Sequence, residues 1–275
     1  MRQVIFLLTL ICSTSGFPEV SFSQVPSLPD GAQTNWIVDQ PKEIVSWILF
    51  DPTTVENRLP STLQFTTVGE LASTGIGWAV DYLSENPDKK TWGISFLEII
   101  KTGTFTIDGV APEWPEKGAA ALWFARVTPA NPQDDPKPGG SYLALNFWIP
   151  DSLFAVTMRE KGHYATFGNV TLYQNGDGWW KGVIDTDDLN VVGNCLPTEP
   201  IYGGSQSAGM QKIFPPNASG VSAVVRIAFA GHRIQYCKDS STWTINGSHA
   251  LSNGVIFEPF EFQFGYDMKG GAYQR

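Results

Sequence analysis

The chain has 275 residues and a formal net charge of −9, and 16% of its residues are charged. No basic run interrupts that acidity, which argues against nucleic acid or an anionic membrane surface as a partner. Hydrophobic residues make up 42%, with 10 Trp, 8 Tyr and 17 Phe, ample for a core. The 27 Gly and 19 Pro favour many short strands over long solvated helices.

Residues 1–16 read as a signal peptide. Arg2 supplies the charge, residues 4–12 the apolar centre, and Ser13, Thr14, Ser15 and Gly16 the small residues near a cleavage point. That apolar run is too short to span a bilayer; a buried first strand is the alternative. Residues 17–40, rich in Pro, Ser and Gly, are expected to form an extended arm with Trp36, Ile37 and Val38 pinning its end. Residues 41–275 then form the folded domain.

Within it, residues 44–50 are predicted as a strand, after which Asp51 and Pro52 open a short helix as N-cap and first helical residue. Residues 75–83 and 92–101 are predicted as strands flanking a charged turn, and 102–109 and 119–127 as further strands. Residues 131–140 are a Pro/Gly-rich loop.

Residues 140–172 are the stretch round which the chain is organised. A strand through Tyr142, Leu143, Leu145, Phe147 and Trp148 turns at Pro150 and Asp151. A short helix follows, in which Leu153, Phe154, Val156 and Thr157 give an apolar face under Arg159 and Glu160. Gly162 stops it, and residues 164–172 read as one more strand. An adjacent cation and carboxylate at an apolar rim, beside His163 and Tyr164, perturb each other's protonation, as a site requires. A surface ion pair capping the helix is the plainer alternative.

Strands are predicted at 179–185, 189–192, 221–230, 233–236, 243–245 and 255–266, with Gly/Ser-rich loops at 202–210 and 215–220. In the last strand Ile256, Phe260, Phe262 and Phe264 share a face. No repeat or internal boundary is visible. The fold class is mainly β: a single antiparallel β-barrel-like domain with one or two short helices.

Once a leader carrying Cys12 is removed, Cys195 and Cys237 remain, and a disulfide between them suits an oxidising compartment. Asn169, Asn217 and Asn246 begin glycosylation sequons; Asn169 falls in a predicted strand, so Asn217 and Asn246 are the better acceptors. The protein is expected to be secreted.

No metal is expected, because His163, His232 and His249 are scattered and Asp185, Asp187 and Asp188 read as a solvated turn. No serine elbow, phosphate loop or dinucleotide fingerprint occurs, and no cofactor is expected. Glu98 ends an alternating run: Ile94, Phe96 and Glu98 point to one face, Ser95, Leu97 and Ile99 to the other. If the first face is interior, burial raises the pKa of Glu98 and suits it to acid–base work; if not, it is solvated.

The order of Gly140, Tyr142 and Leu143, a strand ending at Asp151, then Ala155, Arg159 and Glu160, resembles the central segment of acetoacetate decarboxylase. Residues 47–63 resemble the entry to that fold, and residues 93–98 its strand ending in a glutamate; the resemblance spans roughly residues 44–185. It implies the family's β domain and a small keto or carboxylic compound as partner. In the family a lysine after the Arg-Glu pair forms a Schiff base with the ketone. Counting on, Tyr164 takes the aromatic position, Ala165 the proline and Thr166 the lysine, so the nucleophile is missing. Lys101, Lys161 and Lys181 are the nearby amines, none at that position.

The resemblance therefore implies proton transfer of lyase, cyclase or isomerase type by Glu98 and Glu160, with Arg159 holding an anion and His163, Tyr164 and Thr166 binding substrate. The alternatives are a non-catalytic secreted binding barrel and a glycan-binding β-sandwich using Trp179 and Trp180. A homo-oligomer is compatible with either, and no membrane contact is expected after leader removal.

Overall fold

The structure, a computed structural model, describes residues 30, 34–130, 141–198, 202–203, 209–214, 223–230, 233–264 and 267–274. The predicted leader, residues 131–140 and Asn217 lie outside them. In chain order the strands are β1 (Thr34–Asp39), β2 (Lys42–Phe50), β3 (Leu63–Phe65), β4 (Gly93–Lys101), β5 (Thr104–Ile107), β6 (Ala120–Pro129), β7 (Ser141–Ile149), β8 (Ala165–Phe167) and β9 (Asn169–Gln174). They continue with β10 (Trp180–Asp185), β11 (Leu189–Cys195), β12 (Tyr202–Gly203), β13 (Gly209–Phe214), β14 (Ala223–Ala230), β15 (Arg233–Tyr236), β16 (Thr242–Gly247), β17 (Val255–Phe264) and β18 (Asp267–Gln274). The helices are α1 (Val68–Ser73), α2 (Gly77–Glu85) and α3 (Ser152–Glu160).

A 14-stranded sheet runs β12, β15, β17, β2, β4, β6, β7, β13, β14, β18, β1, β5, with β3 on β6 and β8 on β7; a 4-stranded sheet runs β16, β11, β10, β9. Pairing is antiparallel except where β7 meets β13 and β8. The large sheet does not close but curls. Val38 of β1 and Phe105 and Ile107 of β5, at its far end, share a core with Phe124, Phe147 and Phe154 of β6, β7 and α3. That is the barrel-like architecture expected from the strand content.

Period-two alternation divides the central strands into two faces. Ile44 and Ile48 of β2, Leu97 and Ile99 of β4, and Ala121 and Trp123 of β6 point to one face and pack on the small sheet through Val170, Leu172, Ile184 and Val191. Close approach there depends on two paired glycines, Gly182 and Gly193. A Cβ on Gly182 would stand 2.7 Å from Ile44 Cδ1, and one on Gly193 2.9 Å. The opposite, inner face carries the functional groups.

Local chemistry sets the helices. Asp51 caps the 3-10 turn Pro52–Arg58, its Oδ1 accepting from the Thr53 N–H at 3.0 Å, as predicted. Thr67 and Glu70 form a reciprocal capping box that starts α1. Residues 75–83, predicted as a strand, are mostly helix α2. Trp78 and Tyr82, four apart, both pack edge-on against Phe257, with centroids 5.9 and 5.3 Å away, which is helical spacing. Residues 164–172, predicted as one strand, break at Gly168 into β8 and β9, which join different sheets; a Cβ there would meet Thr186 and Trp148. Residues 34–39, the end of the predicted extended arm, form β1, which pairs with both β18 and β5.

Candidate functional site

Register builds the site. Glu261 of β17 pairs with Val45, Val45 with Glu98, Glu98 with Leu122 and Leu122 with Phe147, so a row of inner-face residues crosses the sheet with a carboxylate on two of its strands. Glu43 lies two residues from Val45 on the same face, opposite Ile100. Arg126 and Tyr142 pair across β6 and β7, also facing inward. Of the two readings of Glu98 left open by alternation, the structure thus takes the inward one.

At either end the inner face is sealed, by Leu49 and Ile94 under α1 and α2 and by Phe124 and Phe147 under α3. Between them Trp47, Phe96, Glu98, Leu122, Arg126, Tyr142 and Glu261 each stay partly exposed, whereas Ile44, Leu97, Ile99 and Trp123 behind them are fully buried. The middle of the face is therefore a partly exposed strip that carries aromatic side chains. Phe96 is its hub, its centroid 5.4 Å from Trp47, 5.2 Å from Phe124 and 5.2 Å, edge-on, from Tyr142.

The electrostatics follow from burial. The Glu98 carboxyl is enclosed by protein, and desolvation first, then the nearby Glu43, push its pKa well above the usual carboxylate range. Burial also raises Glu261, against the opposing pull of hydrogen bonds from Gln263 and the Trp47 indole; the Gln263 amide donates at 2.6 Å. Burial raises the Tyr142 phenol too, with Arg126 pulling the other way and Glu261 and Glu98 adding to the rise. The result is a carboxyl group that holds its proton, on the face it shares with a neutral phenol and with the Arg126 guanidinium four residues along β6 from the Glu98 partner Leu122. Such a set can donate a proton to a carbonyl and hold a carboxylate.

The Arg-Glu pair of α3 is elsewhere. Arg159 and Glu160 are exposed at the end of a helix packed on β7 and β8, and the Arg159 guanidinium donates to the Ala165 carbonyl at 2.7 Å. The pair thus closes the turn after α3, and Arg126 is the arginine that the structure sets on the face of Glu98. His163 is 3% exposed, packed edge-on at 5.3 Å from Phe147, and burial draws its pKa down to about 4. Tyr164 lies under Arg58, whose guanidinium carbon is 4.7 Å from the ring centroid. Thr166 is exposed, and its hydroxyl bonds to Asn146.

The nearby amines are committed elsewhere as well. Lys101 donates to the Glu116 carbonyl at 2.7 Å, Lys161 pairs with Asp108 at 2.9 Å, and Lys181 is on β10 of the small sheet. Cys195 and Cys237 form the expected disulfide, and Asn246 is exposed on β16. Trp180, by contrast, is no surface platform: it is 8% exposed and stacked at 4.9 Å on Phe262. Among the described residues no cluster of three His, Cys, Asp or Glu has the geometry to hold a metal ion, and no helix is long and apolar enough to cross a membrane.

Sequence reasoning missed Glu43, Arg126, Tyr142 and Glu261. A charged residue inside the apolar run 119–127 was the available signal for Arg126. Glu261 was hidden because Phe260 and Phe262 beside it were read as the one interior face, whereas β17 is covered on both.

No family model matches the sequence, and no curated protein does. Solved structures do. An acetoacetate decarboxylase-like enzyme from Sphingomonas wittichii RW1 superposes with a TM-score of 0.50 at 13% identity, covering 90% of this chain and 94% of that one. An acetoacetate decarboxylase gives 0.55 at 9% identity, covering 90% of each chain. The enduracididine biosynthesis enzyme MppR, complexed with pyruvate, gives 0.51 at 9% identity over 89% of this chain and 91% of that one. The fold that residues 140–172 resemble in sequence is the fold the chain adopts: it is acetoacetate decarboxylase-like.

Proposed function

We propose that the protein is an exported enzyme that moves a proton on a small keto or carboxylic compound lying on the partly exposed middle of the inner face, without a lysine Schiff base. The observation that carries this is the Glu98 carboxyl, enclosed beside Glu43 on the face it shares with Arg126 and Tyr142. A buried carboxyl that keeps its proton above the usual carboxylate range donates to a ketone oxygen. Arg126 holds the substrate carboxylate. Glu261, two strands from Glu98 and so about 9.5 Å away along the sheet, takes the proton from the carbon beside the ketone. The products of that step are the enol, ionised Glu98 and protonated Glu261; reversal restores all three. The solved structures of similar fold include enzymes, one of them with pyruvate bound, and the Cys195–Cys237 bond supports an oxidising compartment.

The test is exchange of carbon-bound hydrogen in D2O, followed by NMR on a panel of 2- and 3-keto acids. Wild type should accelerate exchange on at least one of them. Glu98→Gln should abolish the acceleration, and Arg126→Gln should raise KM about tenfold or more. If wild type accelerates nothing yet a keto acid binds, the protein is a binding barrel. The lysine contacts described above favour that as the second reading over any imine chemistry.

A further inference from the structure

A second group of polar side chains lies behind β7, on the face away from Glu98. The pairing of β6 with β7 shifts register between Trp123 and Phe124, which face Asn146 and Ala144, so Leu145 is a bulge. Arg58, at the end of the 3-10 turn, donates one nitrogen to the Leu145 carbonyl at 2.7 Å. Its plane covers the Tyr164 ring. His249 is wedged between two indoles, its centroid 5.6 Å from Trp123 and 5.4 Å from Trp148. The backbone ties this corner together: the N–H groups of Ser248 and His249 both donate to the Asp188 carbonyl.

What this corner leaves over is donors. Pinning the bulge occupies one nitrogen of Arg58; the rest of the guanidinium, half-buried, makes no hydrogen bond or ion pair with the described residues. The Tyr164 hydroxyl has no partner among them either. The His249 Nδ1 accepts from the Leu251 N–H at 3.2 Å, which puts the hydrogen of the neutral ring on Nε2, and that N–H is also unused. The Trp123 indole N–H, buried beside the His249 ring, donates to nothing. Asn146, by contrast, is engaged at both ends: with its amide oriented to suit its neighbours, the oxygen accepts from Trp148 Nε1 and Thr166 and the nitrogen donates to the Tyr164 carbonyl. Asp188 is the acidic neighbour of Arg58 and His249; its carboxylate accepts from the Thr186 hydroxyl at 2.9 Å and lies outside ion-pair distance of Arg58. A half-buried cation and a set of neutral donors, beside Leu145, Asp188 and Tyr164 carbonyls that already accept, is the chemistry that recognises an oxyanion.

We propose that Arg58, Tyr164 and His249 form a second ligand site, which binds a carboxylate- or phosphate-bearing small molecule on the face of β7 opposite Glu98. Arg58 supplies the charge and, through the Leu145 carbonyl, fixes the site to the bulge. Tyr164 and His249 supply one donor each. An anion there contacts β7 directly, the strand whose Tyr142 stands on the inner face with Arg126.

The test uses the full chain and two probes, inorganic phosphate and acetate, titrated while the ¹⁵N signals of the His249 ring are followed by NMR. A saturable shift with either anion is expected. Tyr164→Phe, which keeps the ring under Arg58 and loses only the hydroxyl, should weaken it about tenfold. Arg58→Lys should abolish it; because that change also loosens the bulge, the Tyr164→Phe result is the decisive one. A response to phosphate alone identifies phosphate monoesters as the ligand class, and a response to acetate, carboxylates. No saturable shift at concentrations on the order of tens of millimolar, or a shift that Tyr164→Phe leaves unchanged, overturns the proposal.

Discussion

Glu43 and Glu98 are diagonal neighbours on the inner face of two paired strands, Glu98 facing Val45 and Glu43 facing Ile100. At that spacing, about 7 Å between backbones, two buried carboxyl groups oppose each other's ionisation. Native Glu98 therefore binds its proton more tightly than it does in the unfolded chain, and the native state is penalised as pH rises through and above the ordinary carboxylate range. Glu98→Gln should match wild type in stability near pH 4 and exceed it at pH 8. Urea unfolding at the two pH values measures this. Equal differences at both would mean that Glu98 is not held protonated.

His163 acts at the other end of the scale. Burial holds its pKa near 4, below the 6.5 of an unfolded histidine, so the native ring stays neutral while the unfolded ring takes up a proton. Stability present above pH 6.5 is lost as pH falls toward 4, by up to about 3 kcal/mol. His163→Gln should flatten that limb of the profile. An unchanged slope would assign the acid loss to other groups.

The disulfide closes a sequence separation of 42 residues. In the chain-entropy model that constraint is worth roughly 4 kcal/mol. A Cys195→Ala, Cys237→Ala double variant should lose about that much in a denaturant titration. Keto-acid binding should survive wherever the variant remains folded, because the bond belongs to the face away from Glu98.

Gly182 and Gly193 give the sharpest packing test. Gly182→Ala puts a methyl where Ile44 and Ile99 already stand, and the two sheets must part or Ile44 must change rotamer. A loss of about 1–3 kcal/mol is expected. Pairing it with Ile44→Val should recover part of that loss if the clash is the cause, and none if the glycine is needed for backbone reasons.

Much of the β architecture was legible because alternation is a strong signal where only one face is apolar. Residues 44–50, 92–101 and 119–127 therefore came close to their observed bounds. The same signal failed at 75–83, where Trp78 and Tyr82 at helical spacing were mistaken for a strand. It failed again at β17, where burial on both faces removed the contrast that would have exposed Glu261. Glu98 was readable because it is the one carboxylate inside the mostly apolar β4. Its companions were not, since Arg126, Glu43 and Glu261 meet it only through strand register, over separations that no local pattern encodes.

β18 has one more consequence. It lies between β14 and β1, pairing with both along nearly its whole length, so the chain's last strand joins strands from its beginning and from its later half. A ribosome delivers residues 34–39 long before their partner exists. A chain stopped at residue 266 would leave two unsatisfied strand edges, β1 and β14, each ready to recruit another molecule. Assembly of this half of the sheet must wait until residues 267–274 have been made, and until then both edges need shielding from other molecules.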